Sequence, residues 1–435
     1  MSWKDFANNK WTKFVFWALL YLLWVIWLGN FWWLLGLGVI FDIFITRKVH
    51  WNFWEKRSKE GEKRSGWNEW LDAIIFAVIV VTFINLFFFQ AFKIPSSSME
   101  SSLYTGDQLF VSKLTYGPRV PQTPLPIPFT HNTIFGKESY STLIQNKYRR
   151  LKGFRHVRRG DYVVFGFPNG DTVLRRNPVA DYHELVRVSG REAVDRMGEI
   201  IVRPMDKKDH YVKRCVAIPG DTLEVRDGFV WVNGEQQTVY PGVQLSYTVR
   251  TDGRKINAKV LDKLDLNVPS AYFDPMLPGY PVLLLTAEKL EEVKSLPNVV
   301  SVTPILIKEP SLEYNRLFPY TKDSGWTRDF YGPLWIPSKG ATIQLTQDNV
   351  ALYERVISVY EGADLQQALR EGSYTFKQDY YFMMGDNRHD SQDSRYFGFV
   401  PEDHIVGRPA VIWLSVDKSK RFPHNIRWSR FLKFL

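Results

Sequence analysis

Residues 71–107 read LDAIIFAVIVVTFINLFFFQAFKIPSSSMESSLYTGD. From Leu71 to Phe92 the only strongly polar residues are Asp72, Asn85 and Gln90, and the run is long enough to cross a bilayer core, which takes about 20 apolar residues. It then gives way within three residues to the triple serine Ser96-Ser97-Ser98. A membrane span that empties into a serine-rich loop sets the reading of everything on either side.

Upstream, residues 14–45 hold one charge, Asp42, and are too long for one ordinary crossing. Gly29-Asn30 marks a turn at the midpoint, so the run reads as a hairpin of spans about 14–28 and 31–45, in preference to one long tilted helix. Lys4, Lys10 and Lys13 precede it, and Arg47, Lys48, Lys56, Arg57, Lys59, Lys63 and Arg64 follow it. Basic flanks mark the cytoplasmic side, and two such flanks require an even number of crossings. The third span, 71–92, then carries the rest of the chain to the far side. A cleaved signal peptide fits poorly, because the first apolar run leads into a second and a third.

The 435 residues carry 56 Lys+Arg against 46 Asp+Glu, a net charge of +10, and a single cysteine, Cys215, which excludes a disulfide scaffold and a cysteine-ligated zinc site. A basic, aromatic-rich chain raises nucleic-acid binding, but no nucleic-acid motif is present. Eleven of the 16 tryptophans fall before residue 71, beside the apolar runs, as at a membrane interface.

Downstream the pattern is β-rich. Tyr162–Phe165, His210–Ile218, Val411–Leu414 and the hairpin Thr222–Val225/Phe229–Val232 around Arg226-Asp227-Gly228 read as strands. Residues 246–372 differ: Thr286 caps a helix at Ala287–Leu296, and Asn349–Glu361 has helical spacing of Val350, Tyr353, Ile357 and Tyr360. The expected fold is N-terminal transmembrane helices followed by a mainly β extracytoplasmic domain of antiparallel sheets with an α+β insertion. Its divisions are an anchor at 1–92, a β domain at 93–245 and 373–415, the insertion at 246–372, and a basic-aromatic tail at 416–435. That tail rests on anionic lipid or packs on the sheet; the sequence leaves both open.

Serine is a weak nucleophile without a base, and triple serines are usually polar loops. Lys213, in Tyr211-Val-Lys-Arg-Cys215, is the candidate base: strand alternation puts Tyr211, Lys213 and Cys215 on one face, and burial there lowers a lysine pKa toward 8. A lone strand lysine more often snorkels to a sheet edge. The polar run Met384-Gly-Asp-Asn-Arg-His-Asp-Ser-Gln-Asp-Ser-Arg395 is, taken alone, a loop of mutually paired charges.

Together, Ile94-Pro-Ser-Ser-Ser-Met99, Gly106-Asp107, Arg159-Gly-Asp161, Tyr211-Val-Lys-Arg214 with Pro219-Gly-Asp221, and Gly385-Asp-Asn-Arg388 with Ser391-Gln-Asp-Ser-Arg395 resemble the ordered boxes of bacterial type I signal peptidases. The resemblance covers about half the chain, roughly 71–122, 156–235 and 378–415. It implies Ser98 as nucleophile, Lys213 as general base, Ser391 orienting the amine, and an oxyanion hole from the Ser98 amide and Ser96 hydroxyl. Asp386, Asp393, Arg214 and Arg395 would rigidify the site, while Phe92, Ile94, Pro95, Leu103, Tyr211 and Val212 would line the substrate cleft. The implied activity is removal of signal peptides from exported preproteins at the bacterial cytoplasmic membrane, with no metal or organic cofactor. The chain departs from the pattern at Ser97, where glycine is usual, at Glu100-Ser-Ser102, where a stretch ending Pro-Thr is more common, at His389-Asp390 in place of an Asp-Asn pair, and at Phe397 in place of Trp.

Other hydrolase patterns fail. Ser415-Val-Asp-Lys418 lacks the companion motifs of penicillin-recognising enzymes, and Gly-x-Ser-x-Gly and His-Glu-x-x-His are absent. A non-enzymatic membrane scaffold would not need Ser98, Lys213 and Ser391 together.

Overall fold

The computed structural model describes residues 9–49, 66–123, 127, 130, 132–134, 137–264, 266, 273–274 and 277–435. The flanking Lys4, Lys56, Arg57, Lys59, Lys63 and Arg64 lie outside them.

The first helix, Lys10–Leu28, starts at Asn9, whose side chain accepts the Trp11 N–H, and stops at Gly29. Gly29 adopts φ 61°, a left-handed conformation that costs glycine little, and its N–H closes on the carbonyls of Val25 and Ile26. The chain then folds back through Phe31–Leu35, Gly36–Phe41 and Asp42–Thr46. Phe41 packs on Trp11 and Phe14 (6.4 and 5.4 Å between ring centres) and Trp33 on Trp24 (5.6 Å), so the two limbs form a hairpin. Among the described residues, two helical stretches, Lys10–Leu28 and Trp70–Phe87, are long and apolar enough to cross a membrane; the return limb, Phe31–Thr46, is shorter.

The apolar run expected as one span to residue 92 changes form at its end. The helix Gly66–Phe87 stops, and Phe89–Lys93 is a strand, antiparallel to Asp107–Ser112 with Phe89 opposite Ser112 and Lys93 opposite Gln108. Apolar content alone does not separate helix from strand; here the backbone partners supplied by Asp107–Ser112 decide. Phe87, Leu28 and Leu151 share a small core with Trp24 and Trp27, and the Trp27 indole N–H donates to the Lys152 carbonyl at 3.0 Å. The hairpin, the helix Gly66–Phe87 and the β body are thereby joined.

The body is built on an antiparallel sheet in the order Phe89–Lys93, Asp107–Ser112, Ile405–Ser415, Tyr162–Gly166, His210–Ala217, Tyr380–Met384, Val400–Pro401. Alternation sorts its side chains. Val163, Phe165, Tyr211 and Cys215 join one core, and Tyr162, Val164 and Val212 pack against Ile94, Met99, Leu103 and Leu109 in another. The hairpin expected around Arg226-Asp227-Gly228 forms, but Arg226 pairs with Phe229 and joins the strand, which leaves Asp227 (φ 53°) and Gly228 (φ 79°) as a two-residue turn.

Residues 246–372 divide. Gln244–Thr251, Leu277–Thr286, Val299–Pro304 and the two residues Phe273–Asp274 make a separate sheet, with helix Ala287–Lys294 capped by Thr286 as expected. From there the chain returns to the body: Tyr331–Trp335 pairs with Thr222–Arg226, and Tyr353, Val356 and Ile357 enter the core of that sheet. The helical spacing at 349–361 is that of a body element, because its apolar face matches a sheet outside the insert.

The tail packs on the sheet through its backbone, Lys433–Phe434 pairing with Val411 and Ile412, and through Arg430, which binds the fully buried Asp107 at 2.6 and 3.1 Å. Phe422, Trp428 and Phe434 nevertheless remain well exposed.

Candidate active site

Ser98 sits in the turn that follows the first strand. Ile94 is tied on both sides, its N–H to the Asp107 carbonyl and its carbonyl to Gly106 N–H (both 2.9 Å), while Met99 and Leu103 plug the core beneath. With Met99 anchored (1% exposed), its neighbour Ser98 is left partly open at the surface.

Lys213 reaches this serine from the strand His210–Ala217, and its Nζ donates to Ser98 Oγ. The lysine is 3% exposed, and burial pushes its pKa from 10.5 down to about 8. The carboxylates of Asp393, Asp390 and Asp386 oppose that fall, and the Arg395 guanidinium assists it. An amine whose pKa lies close to neutral pH, within hydrogen-bond reach of a hydroxyl, is what a lysine base requires. Ser96 Oγ lies 3.4 Å from Ser98 Oγ.

Around the pair runs a buried ionic frame. Arg214 grips Asp386 with two bonds (2.8 and 2.5 Å) and stands between the rings of Tyr162 and Tyr240, 4.4 and 4.0 Å away. Asp393 accepts two bonds from Arg395 (2.9 and 2.8 Å) and the Gly385 N–H at 3.0 Å. Burial alone would raise the Asp393 carboxyl pKa, but Arg395 and the Gly385 amide hold it below the usual range. Such pairs hold position more than they stabilise the fold, yet removing one member strands the other. Arg159 likewise pairs with Asp221, and Arg155 with Asp161, which explains the arginine and aspartate boxes as structural braces.

Two placements differ from the reading of the sequence. Ser391 is buried, but its hydroxyl makes no hydrogen bond, so the structure does not pair it with Lys213. Its side chain instead lies against Gly385, where an added Cβ would meet both Ser391 and the Ser98 carbonyl. Of the expected cleft residues, Phe92, Ile94, Leu103 and Val212 meet in one cluster; Tyr211 lies on the Lys213 side of its strand, stacked on Phe167 at 4.6 Å with its ring 5.9 Å from Lys213 Nζ, and Pro95 is exposed. Leu103 has no exposed surface and lies under the site. A cavity of about 600 Å³ lies away from the dyad, at the hairpin turn, lined by Gly29–Trp32, Leu34, Leu35 and Arg149.

Sequence reasoning missed Asn387, whose side chain donates to the Ser97 carbonyl and whose backbone N–H donates to the Ser98 carbonyl, both at 3.2 Å. It stands inside the Gly385–Arg388 box, where its position between two charged residues pointed to it. Gln244 and Arg430 were also missed, having no local pattern to reveal them.

A serine hydroxyl bonded to a desolvated lysine on an antiparallel β body has the arrangement that a nucleophile and its base require in a serine hydrolase. The model of the family described as signal peptidase, peptidase S26, matches residues 67–271 and 338–414. The chain belongs to that family and is a serine endopeptidase. It is similar to signal peptidase I of Haemophilus influenzae (25% identical over 381 residues, 87% of this chain and 78% of the relative). It also resembles signal peptidase I of Buchnera aphidicola from Acyrthosiphon pisum (21% over 405 residues, 92% and 93%) and of Helicobacter pylori strain J99 (24% over 382 residues, 84% and 91%).

Proposed function

We propose that Ser98 and Lys213 carry the reaction by which this family member removes N-terminal signal peptides from preproteins. The observation that carries the assignment is the hydrogen bond from the buried Lys213 amine to Ser98 Oγ. Neutral Lys213 takes the serine proton as Oγ attacks the carbonyl of the small residue at the cut. The tetrahedral oxyanion is held by the Ser98 N–H and the Ser96 hydroxyl. Lys213, now an ammonium, protonates the leaving amine; a water then gives a proton to the same lysine and attacks the acyl-serine, and Lys213 returns that proton to Ser98 Oγ as the acyl bond breaks and the peptide is released. Ser391 takes the orienting role on rotation of its hydroxyl toward the amine, and Asp386, Asp393, Arg214 and Arg395 keep the site rigid. Phe92, Ile94, Pro95 and Val212 line the substrate groove, with Leu103 and Tyr211 supporting it.

The apolar hairpin and the helix ending at Phe87 anchor the enzyme in the cytoplasmic membrane, with the β body on the extracytoplasmic side. Ser98 follows the helix end at Phe87 by eleven residues, a short separation that supports a dyad near the bilayer surface, where a signal peptide presents its cleavage site. The exposed Phe422, Trp428 and Phe434, beside Lys418, Lys420 and Arg421, fit the headgroup layer. The test is cleavage of a preprotein in detergent by wild type, Ser98→Ala and Lys213→Ala: both variants are expected to be inactive, and unchanged cleavage by either rejects the dyad.

A further inference from the structure

His389 stands where the family pattern resembled by this chain has an aspartate, and its imidazole is almost wholly enclosed, with 3% of the side chain exposed. Nδ1 accepts the backbone N–H of Ser246 at 3.1 Å, so the ring proton belongs on Nε2, which faces Asp329 Oδ1 at 2.9 Å. Asp329 is fully buried and is itself fixed: its other oxygen accepts the Ile307 N–H at 2.8 Å, and its carbonyl accepts the Gly228 N–H at 3.0 Å. The Gly228 carbonyl in turn accepts from Arg388 Nη1 at 3.0 Å.

Ser246 lies near the start of the central strand of the inserted sheet, Gln244–Thr251, which has Leu277–Thr286 on one side and Val299–Pro304 on the other. The first residue of that strand is bonded to the loop that holds the nucleophile. Gln244 N–H donates to the Asp386 carbonyl at 2.9 Å, the Arg388 N–H donates to the Gln244 carbonyl at 3.1 Å, and Ser101 Oγ donates to Gln244 Oε1 at 3.0 Å. Between Asp386 and Arg388 sits Asn387, which holds the carbonyls of Ser97 and Ser98.

We infer that His389 is a positioning residue: with Asp329 it locks the first strand of the inserted sheet onto Asp386–Arg388, and so sets the placement of Ser98. The insert is therefore a working part of the active site. One imidazole satisfies two buried groups at once, a backbone donor in the insert and a carboxylate in the body. An aspartate, the residue usual at this place, would set a second carboxylate against Asp329. The inference rests on the Ser98/Lys213 assignment.

The test compares kcat, KM and the titre of acylatable serine for full-length wild type, His389→Ala, His389→Leu and His389→Asn, with Ser98→Ala in parallel and folding followed by near-ultraviolet circular dichroism. Asn keeps an acceptor for the Ser246 N–H. The Ala and Leu variants are expected to lose about 10- to 100-fold in kcat, as a displacement near 1 Å does, with KM within about twofold and a full titre, while Asn stays within about threefold of wild type. Wild-type kcat in a folded Ala or Leu variant overturns the inference, as does a loss carried by KM or by titre, or an Asn variant as impaired as Leu. Should both apolar variants fail to fold, the Asn variant decides on the same threefold criterion. Cleavage by Ser98→Ala would instead reject the catalytic assignment, whatever His389 does.

Discussion

The pH dependence of the reaction tests the proposed site most directly, because the proposed mechanism needs one buried amine to be neutral at the start. With the Lys213 pKa near 8, about 9% of the enzyme is competent at pH 7, half at pH 8 and about 91% at pH 9. kcat/KM for a preprotein or a fluorogenic peptide in detergent should thus rise about fivefold from pH 7 to 8 and level off above about pH 9. Lys213→Arg keeps the positive charge but cannot release a proton, and is expected to lose the 10²–10⁴-fold that general base catalysis typically supplies. The same amine has a stability consequence of known sign. Its pKa is lower folded than unfolded, so between about 8 and 10.5 the unfolded chain binds more protons and stability rises with pH. The drop from 10.5 to about 8 corresponds to roughly 3 kcal/mol against the fold at neutral pH. Lys213→Met should therefore be the more stable protein at pH 7 by up to that amount, with the gap closing as pH approaches 10.5. A flat rate profile from pH 6 to 10, or a Lys213→Met variant that is less stable than wild type at pH 7, would refute the buried-base reasoning.

Three further outcomes follow from the geometry. Gly385→Ala should abolish cleavage, since its Cβ would lie 2.5 Å from Ser391 Cβ and 2.6 Å from the Ser98 carbonyl oxygen; activity within tenfold of wild type in a peptide assay would show that this approach is not required. Ser96→Ala removes one proposed oxyanion donor and should lower kcat about 10²–10³-fold with KM little changed, measured on the same substrate. Asp386→Ala leaves Arg214 buried without its carboxylate, for a loss of about 3–5 kcal/mol by denaturant titration, whereas loss of less than about 1 kcal/mol would mean that Tyr162 and Gly160 suffice to hold the guanidinium.

Much of this site is written in short local patterns. The serine turn, the strand carrying Lys213 and the loop Gly385–Arg395 are each contiguous, and alternation alone puts Lys213 on the side of Tyr211 and Cys215. The hairpin turn at Gly29 and the helix cap at Thr286 were legible for the same reason, since each is a conformational preference of one or two residues. What escaped was long-range. Asp107 meets Arg430 across 323 positions, and His389 meets Asp329 across 60; no window of sequence contains both members. The end of the third apolar run belongs here too, because Phe89–Phe92 becomes a strand only through its partners at 109–112.

Residue order by itself determined the hairpin turn at Gly29, the helix cap at Thr286 and the antiparallel character of the body, because caps, alternation and turn residues act over a few neighbours, while Ser98 and Lys213 were singled out only by the ordered boxes that resemble the signal peptidases. Tertiary structure alone decided how deeply Lys213 is enclosed, that the Ser391 hydroxyl is left without a bond, and that the inserted sheet is tied to the nucleophile loop. Those properties depend on which distant surfaces exclude water from one another, and exclusion of water is what turns an ordinary lysine into a base.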